Sequence, residues 1–371
     1  MDTTIGAVAP LGDLLVRHRI AAGLGPAELA RSAGLSERTL RDLERGATGS
    51  PRWHSVRALA SARQLGELAL QRLSPDDHDG RCRTHLMLGS IATDLREPDR
   101  SRRELHAALI HARRAGDVRQ LGRVLNNLGT LYMELGRLGD AERLLLAALE
   151  AKRRGDAGDV DCGRTLFNLA ETAVDNGRFE VGLHYAEMAA RRLVRGGHRR
   201  LAAFAATTAA LAHLHRGEVG AAVAACGRAT ALLEAQEHDD RRTPTVIELR
   251  CSVAFHAAGQ RARAVELLRQ AIPAGLASPK RDREEVAYML EMHADLASGR
   301  DAGAAARMLG TAARVRRGSN RPVTPAWDSV ARRAEGTCRE RLGDNIFDRH
   351  YRRGFTLDRQ GLLEMYAAVY G

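Results

Sequence analysis

The chain has 371 residues, more than one compact core usually holds, so two domains or a repeat array are expected. Aromatic residues are only 4% of it while Ala, Leu and Arg abound, a balance that favours an all-α protein packed through small side chains. The net charge of +11 supports nucleic-acid binding only weakly: of 57 basic residues two, Lys152 and Lys280, are lysines, and so strong an arginine skew reflects a GC-rich genome more than phosphate binding.

The first elements lie between Leu11 and Gly46. Leu11, Leu14, Leu15 and Ala22 put an apolar stripe on a first helix, and Gly23 ends it. Gly25 and Pro26 open the second helix, since Gly is acceptable at the N-cap and Pro suits the first helical position. Ala27, Leu29, Ala30 and Ala33 face inward, and Gly34 allows a tight turn between crossed helices. Ser36 caps a third helix, with Leu35 and Leu40 as a hydrophobic staple and Gly46 as its stop. Val56, Leu59, Ala60 and Leu65 read as a further core helix.

The start of the third helix presents Glu37, Arg38, Thr39, Arg41 and Asp42 outward. In a helix-turn-helix the N-terminal residues of the second helix of the pair reach base edges. The fork of Arg38 matches guanine O6 and N7. Ser36, Thr39 and Arg41 are candidates for base or phosphate, and Arg45, Arg52 and His54 for phosphates that position without specifying. The segment AELARSAGLSERTLRDLERG resembles the Cro/C1-type (XRE) helix-turn-helix family, over about residues 11 to 73. The resemblance implies binding of double-stranded DNA. One departure stands out: the family opens its second helix with Thr or Ser then Gln, and here those donors are replaced by Gly25 and Pro26. Dimerisation would then have to supply affinity, or the domain serves as a protein-docking module.

Behind this domain one helical hairpin recurs. LNNLGTLYMELGRLGDAERLLLAALEAK places Leu128, Gly129, Tyr132, Ala141, Leu145 and Ala148 at the spacing of the tetratricopeptide (TPR) signature, small where two helices approach and large between them. Turn glycines follow at Gly136, Gly177, Gly217, Gly259 and Gly299, in steps of 41, 40, 42 and 40, and a degenerate copy surrounds Leu88 and Gly89. The expectation is an α-solenoid, whose first helices line a binding face. Asn126, Asn127, Asn168 and Arg250 fall on those helices, with Arg123, Arg164, Glu171, Met133 and Phe167 nearby. Asn pairs with a peptide backbone through both C=O and NH₂, and Arg meets a carboxylate. TPR receptors for signalling peptides use groove asparagines, so the resemblance implies Asn127 and Asn168 as ligand contacts. Structural roles for the same residues, capping turns or bridging helices, stay open.

From Arg307 the sequence reads as a helix, a link bearing Pro322 and Pro325, a helix from about Trp327 to Leu342, and a last helix after Thr356. LGDNIFDRHYRRGFTLDRQGLLEMY looks like the closing element of large actinobacterial regulators that join an ATPase to TPRs. Trp327, Phe347, Tyr351, Tyr366 and Tyr370 suit a cap core or a dimer contact. The ATPase itself is not expected, because neither lysine stands in a Gly-Lys-Ser/Thr motif.

The fold expected is therefore all-α: a helix-turn-helix bundle, a TPR-like solenoid of hairpins and a C-terminal helical cap. The divisions are 1–10 (disordered), 11–73 (DNA-binding), 74–80 (linker), 81–318 (solenoid) and 319–371 (cap). The five cysteines lack any Cys-x-x-Cys pair and read as reduced thiols. No metal, cofactor or catalytic residue is expected, and so no enzyme. The start of the chain lacks a signal-peptide pattern, and the apolar run Leu201 to Leu214 is too short to span a bilayer, so a cytoplasmic protein without membrane contact is expected. Two functions compete. One is a homodimeric transcription regulator of secondary metabolism, its solenoid sensing a peptide, small molecule or protein. The other is a TPR adaptor with a degenerate helix-turn-helix used for docking.

Overall fold

The structure, a computed structural model, describes residues 66–234, 245–277, 280–317 and 323–357, together with Val16, 25–28, Glu37, 63, 64, 360, 361 and 364. Among these the only regular structure is helix. A helical segment at 66–72 leads into α1 (His78–Asp94), α2 (Pro98–Ala115), α3 (Val118–Glu134), α4 (Leu138–Arg154) and α5 (Asp159–Asp175). Then come α6 (Phe179–Arg195), α7 (Arg199–His215), α8 (Val219–Glu234), α9 (Thr245–Ala257) and α10 (Arg261–Ala277). The last are α11 (Lys280–Ser298), α12 (Ala302–Arg316), α13 (Pro325–Leu342) and α14 (Asp344–Thr356). Chain contacts divide the protein into two compact units, Met1–Thr165 and Leu166–Gly371, and the division falls inside α5.

Two sequence features make the hairpins. The first is the turn. Gly136, Gly177, Gly217 and Gly259 have φ of 71°, 74°, 76° and 75°, the left-handed conformation that glycine enters without a Cβ clash. Each turn closes with an N–H reaching back five residues, as from Arg137 to the Tyr132 carbonyl at 2.9 Å, which satisfies a helix-end acceptor. Gly299 departs from the series and is not left-handed. In the degenerate first copy Arg96 occupies the left-handed position, at φ 61°.

The second feature is close approach within the hairpin. A Cβ on Gly89 would meet Leu105 Cγ at 2.6 Å, and one on Gly129 would meet Leu145 Cγ at 2.6 Å. Leu88, Leu105, Leu128, Leu145, Ala108 and Ala148 are all essentially fully buried. The two copies thus repeat the same wedge one period apart, and each buried Leu contributes about 1.5–3 kcal/mol of apolar transfer.

In the second unit one core runs from Val174 and Leu211 through Val253, Leu290 and Met308 to Phe347. The closing helices belong to this core. Trp327 stacks on Tyr288 at 4.6 Å, meets His215 edge-on at 5.9 Å and donates from Nε1 to Asp175 Oδ1 at 3.1 Å. Burial pushes the His215 pKa down to about 4, so the ring against Trp327 is neutral. Gly310 and Gly354 mark where α12 and α14 touch. A Cβ on Gly310 would lie 2.0 Å from the Tyr351 carbonyl oxygen, and one on Gly354 would lie 1.9 Å from that of Arg307. Here the obstacle is backbone, so no side chain can give way.

One expectation needs correcting. The chain between Leu342 and Thr356 holds helix α14, where the sequence reading placed none; beyond Thr356, where it placed the last helix, the described residues 360, 361 and 364 are helical. Gly343, at φ 73° and ψ 157°, breaks α13 from α14 in one residue, too short a link to show as a loop. Pro325 is inside α13 at its first turn rather than in a linker, where its missing N–H has no partner to lose.

The five cysteines are free thiols, and all are buried. Among the described residues no helix is long and apolar enough to cross a membrane.

Candidate functional site

The DNA-contact candidates Ser36, Arg38, Thr39, Arg41, Arg45, Arg52 and His54 lie outside the described residues. Of the second helix, residues 26–28 are helical as the sequence implies. Gly25 N–H donates to Glu28 Oε2 at 2.9 Å, and Glu28 N–H to the Gly25 carbonyl at 3.1 Å. Glu28 therefore performs the back-bonding half of a capping box, and the helix starts without Ser or Thr. Glu37 is helical.

On the repeats, polar side chains of successive first helices bond across one period. In the first unit Asn127 Nδ2 donates to Ser90 Oγ at 3.0 Å, 37 residues away. In the second, Thr208 Oγ1 donates to Glu171 and His256 Nδ1 meets His293 Nδ1, again 37 residues apart. These rungs were not foreseen residue by residue, although the period of about 40 in the turn glycines carries the signal.

The four groove candidates have different surroundings. Asn126 is 5% exposed, and its Oδ1 accepts from Thr165 Oγ1 at 2.9 Å, so it bridges α3 to the start of α5. Asn127 is half-buried on α3. Asn168 is half-buried on α5, and its carbonyl accepts from Thr172 Oγ1 at 2.7 Å. Arg250 is 6% exposed. It forks onto Glu171 at 3.0 and 3.1 Å, and its Nε donates to Glu285 Oε1 at 2.7 Å. Burial alone would lower its pKa, but the two carboxylates hold it well above the usual value. Arg250 is thus an internal ion-pair centre joining α5, α9 and α11, and its carboxylate partners come from the chain itself.

Sequence reasoning missed Lys152, at 2% exposure the most deeply buried basic residue among the described residues of the first unit. Its Nζ donates to the Asp161 carbonyl at 2.8 Å and to Thr165 Oγ1 at 2.9 Å. A Cβ on Gly122 would meet Lys152 Cγ at 2.7 Å, so glycine there makes room for the lysine stem. Burial lowers the Lys152 pKa to about 8, with Arg164 and Arg123 adding to the effect and Asp161 opposing it. Its rarity in an arginine-rich chain was the available signal. Among the described residues no group of three or more His, Cys, Asp or Glu is placed to hold a metal ion.

Residues 10–73 match the helix-turn-helix domain family. The beginning of the chain carries a helix-turn-helix domain. No curated protein matches the chain in sequence. Among solved structures it is similar to aspartyl phosphate phosphatase F from Bacillus subtilis, with a TM-score of 0.56, 12% identity and 97% of each chain covered. It is also similar to a Rap protein complexed with competence and sporulation factor, with a TM-score of 0.54, 12% identity, and coverage of 97% of this chain and 98% of that one. At such identity these likenesses show the fold: TPR-like helical repeats.

Proposed function

We propose that the chain is a sequence-specific DNA-binding transcription regulator whose TPR-like repeats receive a peptide, small-molecule or protein signal. The observation that carries this reading is the helix-turn-helix match over residues 10–73 in one chain with the helical repeats of the described residues behind it. The domain is read as the XRE subtype and the protein as a cytoplasmic homodimer without enzymatic activity. Its setting is read as actinobacterial secondary metabolism, on the likeness of the closing segment to ATPase–TPR regulators. Arg38 is assigned to base contact, with Ser36, Thr39 and Arg41 beside it, and Arg45, Arg52 and His54 to phosphate. Asn127 and Asn168 are assigned to ligand contact, and Asn126 and Arg250 to holding the helices that present them. The solved Rap protein bound to a signalling factor is consistent with a ligand on such repeats, and that factor belongs to that protein.

Capture of fragmented genomic DNA by the purified full chain tests the reading. The expected result is one enriched palindromic site, relaxed in sequence by Arg38→Ala and weakened uniformly by Arg52→Ala. Binding should fall with salt, at a slope of about −0.9 in log K per neutralised phosphate. A chain that captures no site, and retains instead a defined protein partner, is an adaptor. The replacement of family donors by Gly25 and Pro26 favours that second reading.

A further inference from the structure

Among the described residues of the first unit, three basic side chains have no carboxylate in an ion pair with them. Arg164 is on α5 and its Nε is buried without a hydrogen-bond partner. Arg123, exposed on α3, donates to Gln120 Oε1 at a long 3.4 Å. Lys152 comes from α4 behind them, with two of its three N–H bonds directed at neutral oxygens. Among the described residues no carboxylate is within ion-pair distance of Arg123 or Arg164. Asp161 is the acid that acts on this group, so the local balance is three cations against one anion.

A buried guanidinium Nε without an acceptor is destabilising unless something outside the chain supplies one. We propose that Arg164 and Arg123, with Lys152 behind them, form an oxyanion subsite for the dianionic head of a small ligand, a phosphate or a dicarboxylate. The guanidinium fork of Arg164 is the bidentate partner such a head requires. Arg123, exposed on α3, adds a second guanidinium. Lys152 is too buried to touch the ligand and supplies field, fixed by Thr165 and Asn126. Burial lowers the Arg164 pKa, Asp161 opposes it, and Arg123 acts in the same direction as burial. This subsite deepens the ligand-sensing reading and rests on it for its biological sense, but not for its chemistry.

Titration of the full chain with inorganic phosphate, succinate and acetate at constant ionic strength tests the subsite, read by calorimetry and thermal midpoint. Saturable binding of phosphate or succinate is expected, with acetate about tenfold weaker or more. Arg164→Gln should weaken the dianion by about tenfold or more, the size of a lost charged hydrogen bond. Arg164→Lys, which keeps the charge and the fold but loses the fork, should fall between. If neither dianion saturates, or if wild type and both variants bind alike, the subsite is wrong. Operator capture run in parallel separates the two readings. DNA captured without dianion binding removes the subsite alone, and dianion binding without DNA removes the regulator alone.

Discussion

Each unit carries a basic side chain among the polar residues of its first helices, and the two are treated in opposite ways. In the second unit Arg250 is enclosed by Glu171 and Glu285, with Thr208 Oγ1 at 3.0 Å completing its shell. In the first unit Arg164, Arg123 and Lys152 share one acid, and Arg164 keeps an orphan donor. A cation with internal partners is a rivet between helices. A cation without them is a socket. Burial alone does not decide between the two roles, since Arg164 Nε is buried too and has no acceptor.

The contrast breaks most directly at Arg250. Arg250→Met leaves the largely buried carboxylates of Glu171 and Glu285 without their cation, and a loss of about 3–5 kcal/mol is expected in chemical denaturation. Adding Glu171→Gln and Glu285→Gln should return most of it. If Arg250→Met unfolds like wild type, the rivet does not exist.

The second unit should also be the acid-labile one. His256 has its pKa lowered by burial to about 4, and that of fully buried His293 is well below normal for the same reason. A histidine with a depressed folded pKa contributes stability that is complete above the unfolded value of 6.5 and lost as pH falls toward the folded value. For His256 the drop from 6.5 to about 4 corresponds to about 3 kcal/mol between those limits. Urea melts of wild type and His256→Gln across that range should diverge at the acid end by an amount of this order. Parallel curves would mean the pair is already open to protons.

A change in the first unit should have the opposite sign. Arg164→Met removes a cation whose Nε has no acceptor, and the expected outcome in ligand-free buffer is a shift of about 1 kcal/mol or less, toward greater stability. A large loss would show Arg164 to be a rivet as well. Smallest is the first turn, where Arg96 holds the left-handed conformation that glycine holds in four later copies. Arg96→Gly relieves that strain but loosens the unfolded chain, so a gain of about 0.5 kcal/mol is expected as a small rise in thermal midpoint.

Much of this was legible in the sequence, and the unread parts have physical reasons. The hairpins were legible because turn geometry and close helix approach are local demands. Gly136 must be left-handed, and Gly129 must admit Leu145, whatever surrounds them. The start of the second DNA-domain helix at Pro26 was legible on the same ground. Helix α14 was not, although Phe347, Tyr351 and Phe355 stand four apart, because the single residue Gly343 parts it from α13 and leaves no loop to mark its start. Nor was the fate of Arg250, whose partner Glu171 is 79 residues away and chosen by tertiary packing alone. Asn126 and Asn127 are neighbours in sequence, yet one bridges to α5 and the other to α1, since adjacent helical positions point about 100° apart.

The buried thiols make the protein ready for spectroscopy without alteration. Cys82 and Cys338 are fully enclosed, burial raises both pKa values to about 11, and the other three cysteines are no more than 3% exposed. Thiolate is the reactive form, so maleimide chemistry on the native chain should be slow. A cysteine placed on an open helix face, such as Leu146→Cys at 42% exposure, would then outpace the native five. Pairs of dyes or spin labels attached in this way could follow the distance between units while DNA or ligand is added, in a molecule that has lost none of its own residues from the core.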